Sequence, residues 1–157
     1  MSYLTGKTRL AFLCFFASHI PITLMIDAQA FLPHSFFPQI ALDVVKWYTN
    51  TFNDQLMTPP YDTWFSAVVG CEIFLQLPFF FVAVHSLWTN GRSVDGSGWF
   101  RTACLVYGSH TATTMAPILA TIWNDISAEK IQKAFLFIVY LPYLLFPLWL
   151  LYISATS

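Results

Sequence analysis

Apolar residues run along this chain in four long stretches, at about 8–32, 64–89, 99–123 and 131–154, each interrupted by only a few polar positions. A helix that crosses a bilayer needs roughly 20 mostly apolar residues, so each stretch predicts one span. The expected fold class is an all-α membrane protein: a four-helix transmembrane bundle, with residues 1–157 forming a single domain. The first run follows Lys7 and Arg9 in the manner of a secretory leader. Its length and its internal His19 and Asp27 predict a membrane helix instead.

The connection between the first two runs has a period of its own. Over 38–52, Ile40, Val44, Trp47, Tyr48 and Phe52 recur near helical spacing. That predicts a short amphipathic helix across the mouth of the bundle or in the membrane interface. Thr58-Pro59-Pro60-Tyr61 then breaks the structure, and Asn90-Gly91 with Gly96-Ser97-Gly98 predicts a turn before the third run. Pro21, Pro78, Pro117, Pro142 and Pro147 fall inside the spans. Each removes a backbone donor and wedges against the preceding turn, predicting bends that open the bundle into a cavity. The alternative is the general abundance of proline in membrane helices.

Composition supports the membrane class: 57% of residues are hydrophobic and 10% charged, against about 25% charged in soluble domains. A net charge of −1 leaves no basic footprint, which argues against nucleic acid as a partner. Cys14, Cys71 and Cys104 each lie in an apolar run and read as small buried hydrophobes. The scattered His, Cys and carboxylate positions show no metal-ligand spacing, and nothing points to a cofactor. Lys7, Arg9, Arg92 and Arg101 fall on one side of the expected bundle, Lys46, Lys130 and Lys133 on the other. The positive-inside rule then places both termini in the cytosol.

Asp27 and Glu72 carry the candidate chemistry. Both sit within apolar runs, far in sequence from any lysine or arginine. A charge at membrane depth is costly and marks a cavity, a partner or a site. At about 1.5 Å per residue, the two reach similar depth on antiparallel neighbours. His19, Thr23 and Asp27 form one stripe at i, i+4 and i+8; Glu72 and Gln76 form another, His110 and Thr114 a third, Tyr140 and Tyr143 a fourth. Stripes that converge would make an acidic, aromatic-walled chamber suited to an amine or another cation. Two close carboxyl groups in a low dielectric do not readily both ionise. The expected arrangement has Glu72 as the protonated member, donating to an anionic Asp27. Bland alternatives stand beside this: Asp27 reaching interfacial water, Glu72 making a structural interhelical bond, His19 and His110 packed in the core.

Several segments also resemble a known family. They are Ser18-His19-Ile20-Pro21-Ile22-Thr23-Leu24 with Asp27, Lys46-Trp47-Tyr48, Cys71-Glu72 through Gln76-Leu77-Pro78-Phe79-Phe80, His110-Thr111 with Thr113-Thr114, and Pro117-Ile118-Leu119. In residue and order they resemble the EXPERA family of four-helix membrane proteins, which includes the emopamil-binding sterol isomerase. The resemblance implies a dimeric protein of the endoplasmic-reticulum membrane tied to cholesterol homeostasis, with a pocket open to membrane lipid. It implies binding of oxysterols and cationic amphiphiles, and a possible sterol-transport protein as partner. Asp27 would pair with the ligand amine, Glu72 would hydrogen-bond Asp27, Asp54 would be a structural acid and Tyr143 an aromatic wall. The family's lysine-rich retrieval tail has no counterpart in Ser154-Ala155-Thr156-Ser157.

Two functional readings follow. The first is a non-catalytic receptor for sterols and cationic amphiphiles. The second is a sterol Δ8-Δ7 isomerase with Glu72 as general acid. Isomerase relatives carry a carboxylate four residues after the first-helix histidine, where this chain has Thr23. A threonine hydroxyl does not hold or release a proton at neutral pH, so the receptor reading is preferred.

Overall fold

A computed structural model describes residues 4–89 and 98–156. Among these residues the fold is wholly helical, with no strand. The helices are α1 (Gly6–Met25), α2 (Gln39–Phe52), α3 (Thr63–Cys71), α4 (Leu77–Trp88), α5 (Trp99–Asn124), α6 (Lys130–Tyr140) and α7 (Pro142–Thr156). Short 3-10 turns at Asp27–Ala30 and His34–Phe36 follow α1, and a π-helical segment, Glu72–Gln76, joins α3 to α4.

Among the described residues, three helical stretches are long and apolar enough to cross a membrane: Gly6–Ala30, Thr63–Trp88 and Lys130–Thr156. Four were expected. At the third expected span the structure has the 26-residue helix α5, which falls outside the three candidate spans, its apolar run interrupted by Arg101, Thr102, Ser109, His110, Thr111, Thr113 and Thr114. The amphipathic helix expected at 38–52 is α2. The turn expected at Asn90-Gly91 and Gly96-Ser97 lies outside the described residues; Gly98 follows it in the left-handed region at φ 66°. Pro21, Pro117 and Pro147 sit inside unbroken helices, whereas Pro78 follows the π segment and Pro142 begins a new helix.

Two apolar clusters build the interior. Phe12, Phe15, Phe16, Phe80, Phe100, Tyr107 and Leu150 pack toward the N-terminal end of α1. Val45, Leu56, Met57, Phe65, Val69, Met115, Ile118 and Leu136 pack under α2 and its loop. Tyr143 touches both. Outward-facing Phe74, Leu75, Val106, Ile138 and Tyr152 leave the flanks apolar, as contact with lipid requires.

The helices pair as α5 with α7 and α1 with α4. Arg101 closes the first pair, donating to the Ser154 and Ala155 carbonyls at 2.7 and 3.3 Å, where a cation complements the end of a helix. Gly108 sets their approach. A Cβ there would lie 2.8 Å from both the Leu151 Cβ and the Pro147 carbonyl oxygen, and a backbone atom cannot swing aside. Gly70 meets only the Phe31 ring, which can rotate. Gly108→Ala is therefore expected to cost about 1–3 kcal/mol, and Gly70→Ala less. Thermal melts of both variants in detergent check this ordering; equal melting temperatures would contradict it.

Candidate functional site: a buried acidic chamber

The chamber lies where the two clusters meet. The α1 helix ends at Met25, so Asp27 opens a 3-10 turn instead of extending an α-helical stripe. The tighter turn still directs its carboxyl inward. On the facing span Glu72 and Gln76 bound the π-helical segment, a local widening of the helix that is frequent at functional sites. His19, Asp27 and Glu72 thereby offer ligand atoms that all lie within 4.8 Å of one another. This differs from the sequence expectation of scattered positions, because residues far apart in the chain meet through the pairing of two spans.

Hydrogen bonds fix the geometry. The Thr23 hydroxyl, fully buried, donates to Glu72 Oε1 at 2.5 Å. His19 Nε2 lies 3.4 Å from the same oxygen. The histidine ring is held between Phe80 and Tyr143, both with centroids at 4.6 Å, and its Nδ1 has no partner among the described residues. Thr111 donates to Gln76 Oε1 at 3.1 Å, fixing the amide against α5. The expectation made Glu72 the donor of the acid pair; toward Thr23 it is the acceptor.

The cavity at this point measures about 60 Å³. Among the expected site residues, His19, Asp27, Glu72, Gln76, Thr114, Tyr140 and Tyr143 line it. Thr23 does not, and acts on it through Glu72. Phe65, Val68, Val69, Met115 and Ile118 form the apolar wall; no sequence signal separates them from other apolar span residues. His110 lies apart, beside Tyr107 in a groove between α4 and α5.

A second space of about 260 Å³ adjoins the chamber through Asp27, Tyr140 and Tyr143, which line both. Ile22 of α1, Ile26 just beyond it, Val44, Val45, Trp47 and Tyr48 of α2, Met57 of the following loop and Val139 of α6 complete it. The elements around it are joined by Gln29, a buried residue the sequence did not single out. The Gln29 amide donates to the Met25 carbonyl at 2.6 Å and the Ala41 carbonyl at 3.1 Å, tying the end of α1 to α2.

Asp54, in the loop after α2, is 1% exposed. It accepts hydroxyl bonds from Tyr140 at 2.7 Å and Tyr48 at 2.9 Å, and backbone N–H bonds from Leu56 and Met57 at 3.0 and 3.4 Å. One loop carboxyl thus positions two aromatic walls of the adjoining groove. Burial pushes Asp54 above the ordinary carboxylate range, while the two tyrosine hydroxyls and two backbone N–H groups draw it back down.

These features define a helical membrane protein whose spans enclose a small acidic chamber. Residues 40–154 match the family described as EXPERA, the expanded EBP superfamily. The chain is 45% identical over 148 residues to Sigma intracellular receptor 2 of Xenopus tropicalis, the match covering 89% of this chain and 83% of that protein. It is 38% identical over 155 residues to the human protein of the same name, covering 91% and 84%. Efficient mitochondria targeting-associated protein 19 of Saccharomyces cerevisiae is 30% identical over 154 residues, covering 90% and 94%. The chain belongs to the EXPERA family.

Because the pKa of folded Asp54 lies above its unfolded value, its contribution to stability is fully present below the ordinary carboxylate range and is lost as pH rises through the folded value. Melts in detergent from about pH 4 to about pH 7 are expected to show this fall, and Asp54→Asn to flatten it. An unchanged slope in the variant would contradict the assignment.

Proposed function

We propose that this protein is an intramembrane receptor for cationic amphiphiles and sterols, with Asp27 as counter-ion to the ligand's positive group. One observation carries the reading. Asp27 and Glu72 face each other in an apolar chamber, and among the described residues no lysine or arginine pairs with either. An unpaired buried charge is costly, so such a pair is retained where a cation arrives from outside.

Size divides the ligand between the two spaces. The 60 Å³ chamber suits an ammonium head and a few waters, not a ring system. The 260 Å³ groove beyond Asp27, walled by Trp47, Tyr48, Tyr140 and Tyr143, suits the apolar body. Aromatic faces there add cation–π attraction. Glu72, Gln76, His19, Thr23 and Thr114 shape the head site, and Asp54 holds the tyrosines.

The wider setting rests on the apolar runs and the distribution of Lys and Arg for the spans and termini, and on the family resemblance for the rest. It comprises a single four-span domain with α5 as the third crossing, both termini in the cytosol, an endoplasmic-reticulum location, and a role in cholesterol homeostasis. A homodimer and a sterol-transport partner belong to the same reading. Relatives named as receptors support binding over catalysis. The runner-up, a sterol isomerase, is favoured only by the part-buried Glu72 beside Asp27. Purified protein incubated with a sterol carrying the 8,9 double bond is expected to return it unchanged. Product that disappears in Glu72→Ala would reverse the order of the two readings.

Removing one partner of a buried charge pair costs about 2–5 kcal/mol, roughly 30-fold or more in affinity. Asp27→Asn is expected to lose at least that much for a cationic amphiphile in a radioligand assay. Glu72→Gln should lose less, because an amide still donates to Asp27. Unchanged affinity in Asp27→Asn would refute the ion pair, and the reverse ranking would move it to Glu72.

A further inference from the structure

We propose that His19, Asp27 and Glu72 form a binding site for a divalent transition-metal ion of the zinc type, in the same chamber and in competition with the amine. The inference rests on the chamber reading above but adds a different ligand class, argued from the donor set and its spacing. The His19 Nε2 to Glu72 Oε1 distance is 3.4 Å. Two ligand atoms bonded to one tetrahedral zinc at about 2.0–2.2 Å lie about 3.3–3.6 Å apart. The Asp27 carboxylate is the third donor, and all three ligand atoms fall within 4.8 Å of one another. Small side-chain rotations bring such a set onto one ion, leaving a fourth position for water.

Three further features favour a metal. A dication neutralises two carboxylates outright, whereas an ammonium neutralises one, and in an apolar bundle the fully neutralised site is the better state. His19 is 6% exposed, and its ring directs Nε2 at Glu72. That nitrogen and the carboxylate oxygen it approaches are the two atoms an ion shared between them would bond. The buried Thr23 hydroxyl, 2.5 Å from Glu72 Oε1, supplies the outer hydrogen bond that orients a ligating carboxylate. One imidazole and two carboxylates suit zinc or cobalt. Calcium and magnesium, which take six or more oxygens or a near-ideal octahedron, are poorly served.

The test uses the purified full chain in detergent, titrated with zinc by calorimetry and with cobalt by visible absorption. One zinc per chain is expected, tighter than about 10 µM, with the cobalt form showing the d–d bands of a low-coordinate site. Glu72→Gln and His19→Gln are each expected to weaken zinc binding about 10–100-fold, while His34→Gln and His85→Gln leave it unchanged. Zinc is expected to displace a bound radiolabelled amine where excess calcium and magnesium do not. The His19 variant disturbs a packed ring, so the Glu72 variant and the wild-type cobalt spectrum keep the result independent of it. Absence of saturable zinc binding, with Asp27-dependent amine binding intact, overturns the metal site and leaves the receptor reading standing. Zinc binding that survives Glu72→Gln, or that vanishes in His34→Gln or His85→Gln, assigns the metal to other ligands and also overturns it.

Discussion

Two carboxyl groups facing each other across paired spans, with apolar and aromatic side chains around them, constrain the rest of this bundle. In water such a pair repels weakly; in an apolar interior the repulsion and the lost hydration are both large. The protein meets that cost locally with Thr23 on Glu72 and His19 beside it. It does not meet it with a lysine or arginine among the described residues. A cation pairing the acids internally would fill the chamber. Without such a cation the space between them stays open.

The supporting structure holds this arrangement open. The π segment at Glu72–Gln76 and the 3-10 turn at Asp27–Ala30 depart from α-helical geometry at the positions that supply the acids. Gln76, locked to Thr111, closes one side. On the other, Asp54 reaches from the loop to Tyr140 and Tyr48 and fixes the aromatic walls of the groove. A small polar head site and a larger apolar groove share Asp27 between them. That division matches the two ends of an amphiphile.

Much of this was legible in the sequence, for reasons that differ by element. Apolar runs gave the helical stretches, and period 3.6 gave α2, because burial against lipid or core imposes those patterns directly. Depth counting placed Asp27 and Glu72 level because rise per residue is nearly constant. The π segment was not legible, since one extra residue in a helical turn leaves no mark on an apolar pattern. Tyr140 and Tyr143 read as one stripe but stand on two helices that part at Pro142. The bond from Asp54 to Tyr140 joins residues 86 positions apart, beyond the reach of local periodicity. The hydroxyls and histidine of α5 make that helix less apolar than the three candidate spans, which a reading by apolar runs did not separate.

The central claim is that the chamber is kept for a positive charge from outside. The most direct measurement compares the affinity of an amine amphiphile with that of an isosteric analogue whose ammonium nitrogen is replaced by carbon. The neutral analogue is expected to bind roughly 30-fold more weakly or worse. Equal affinity for the two would contradict the claim.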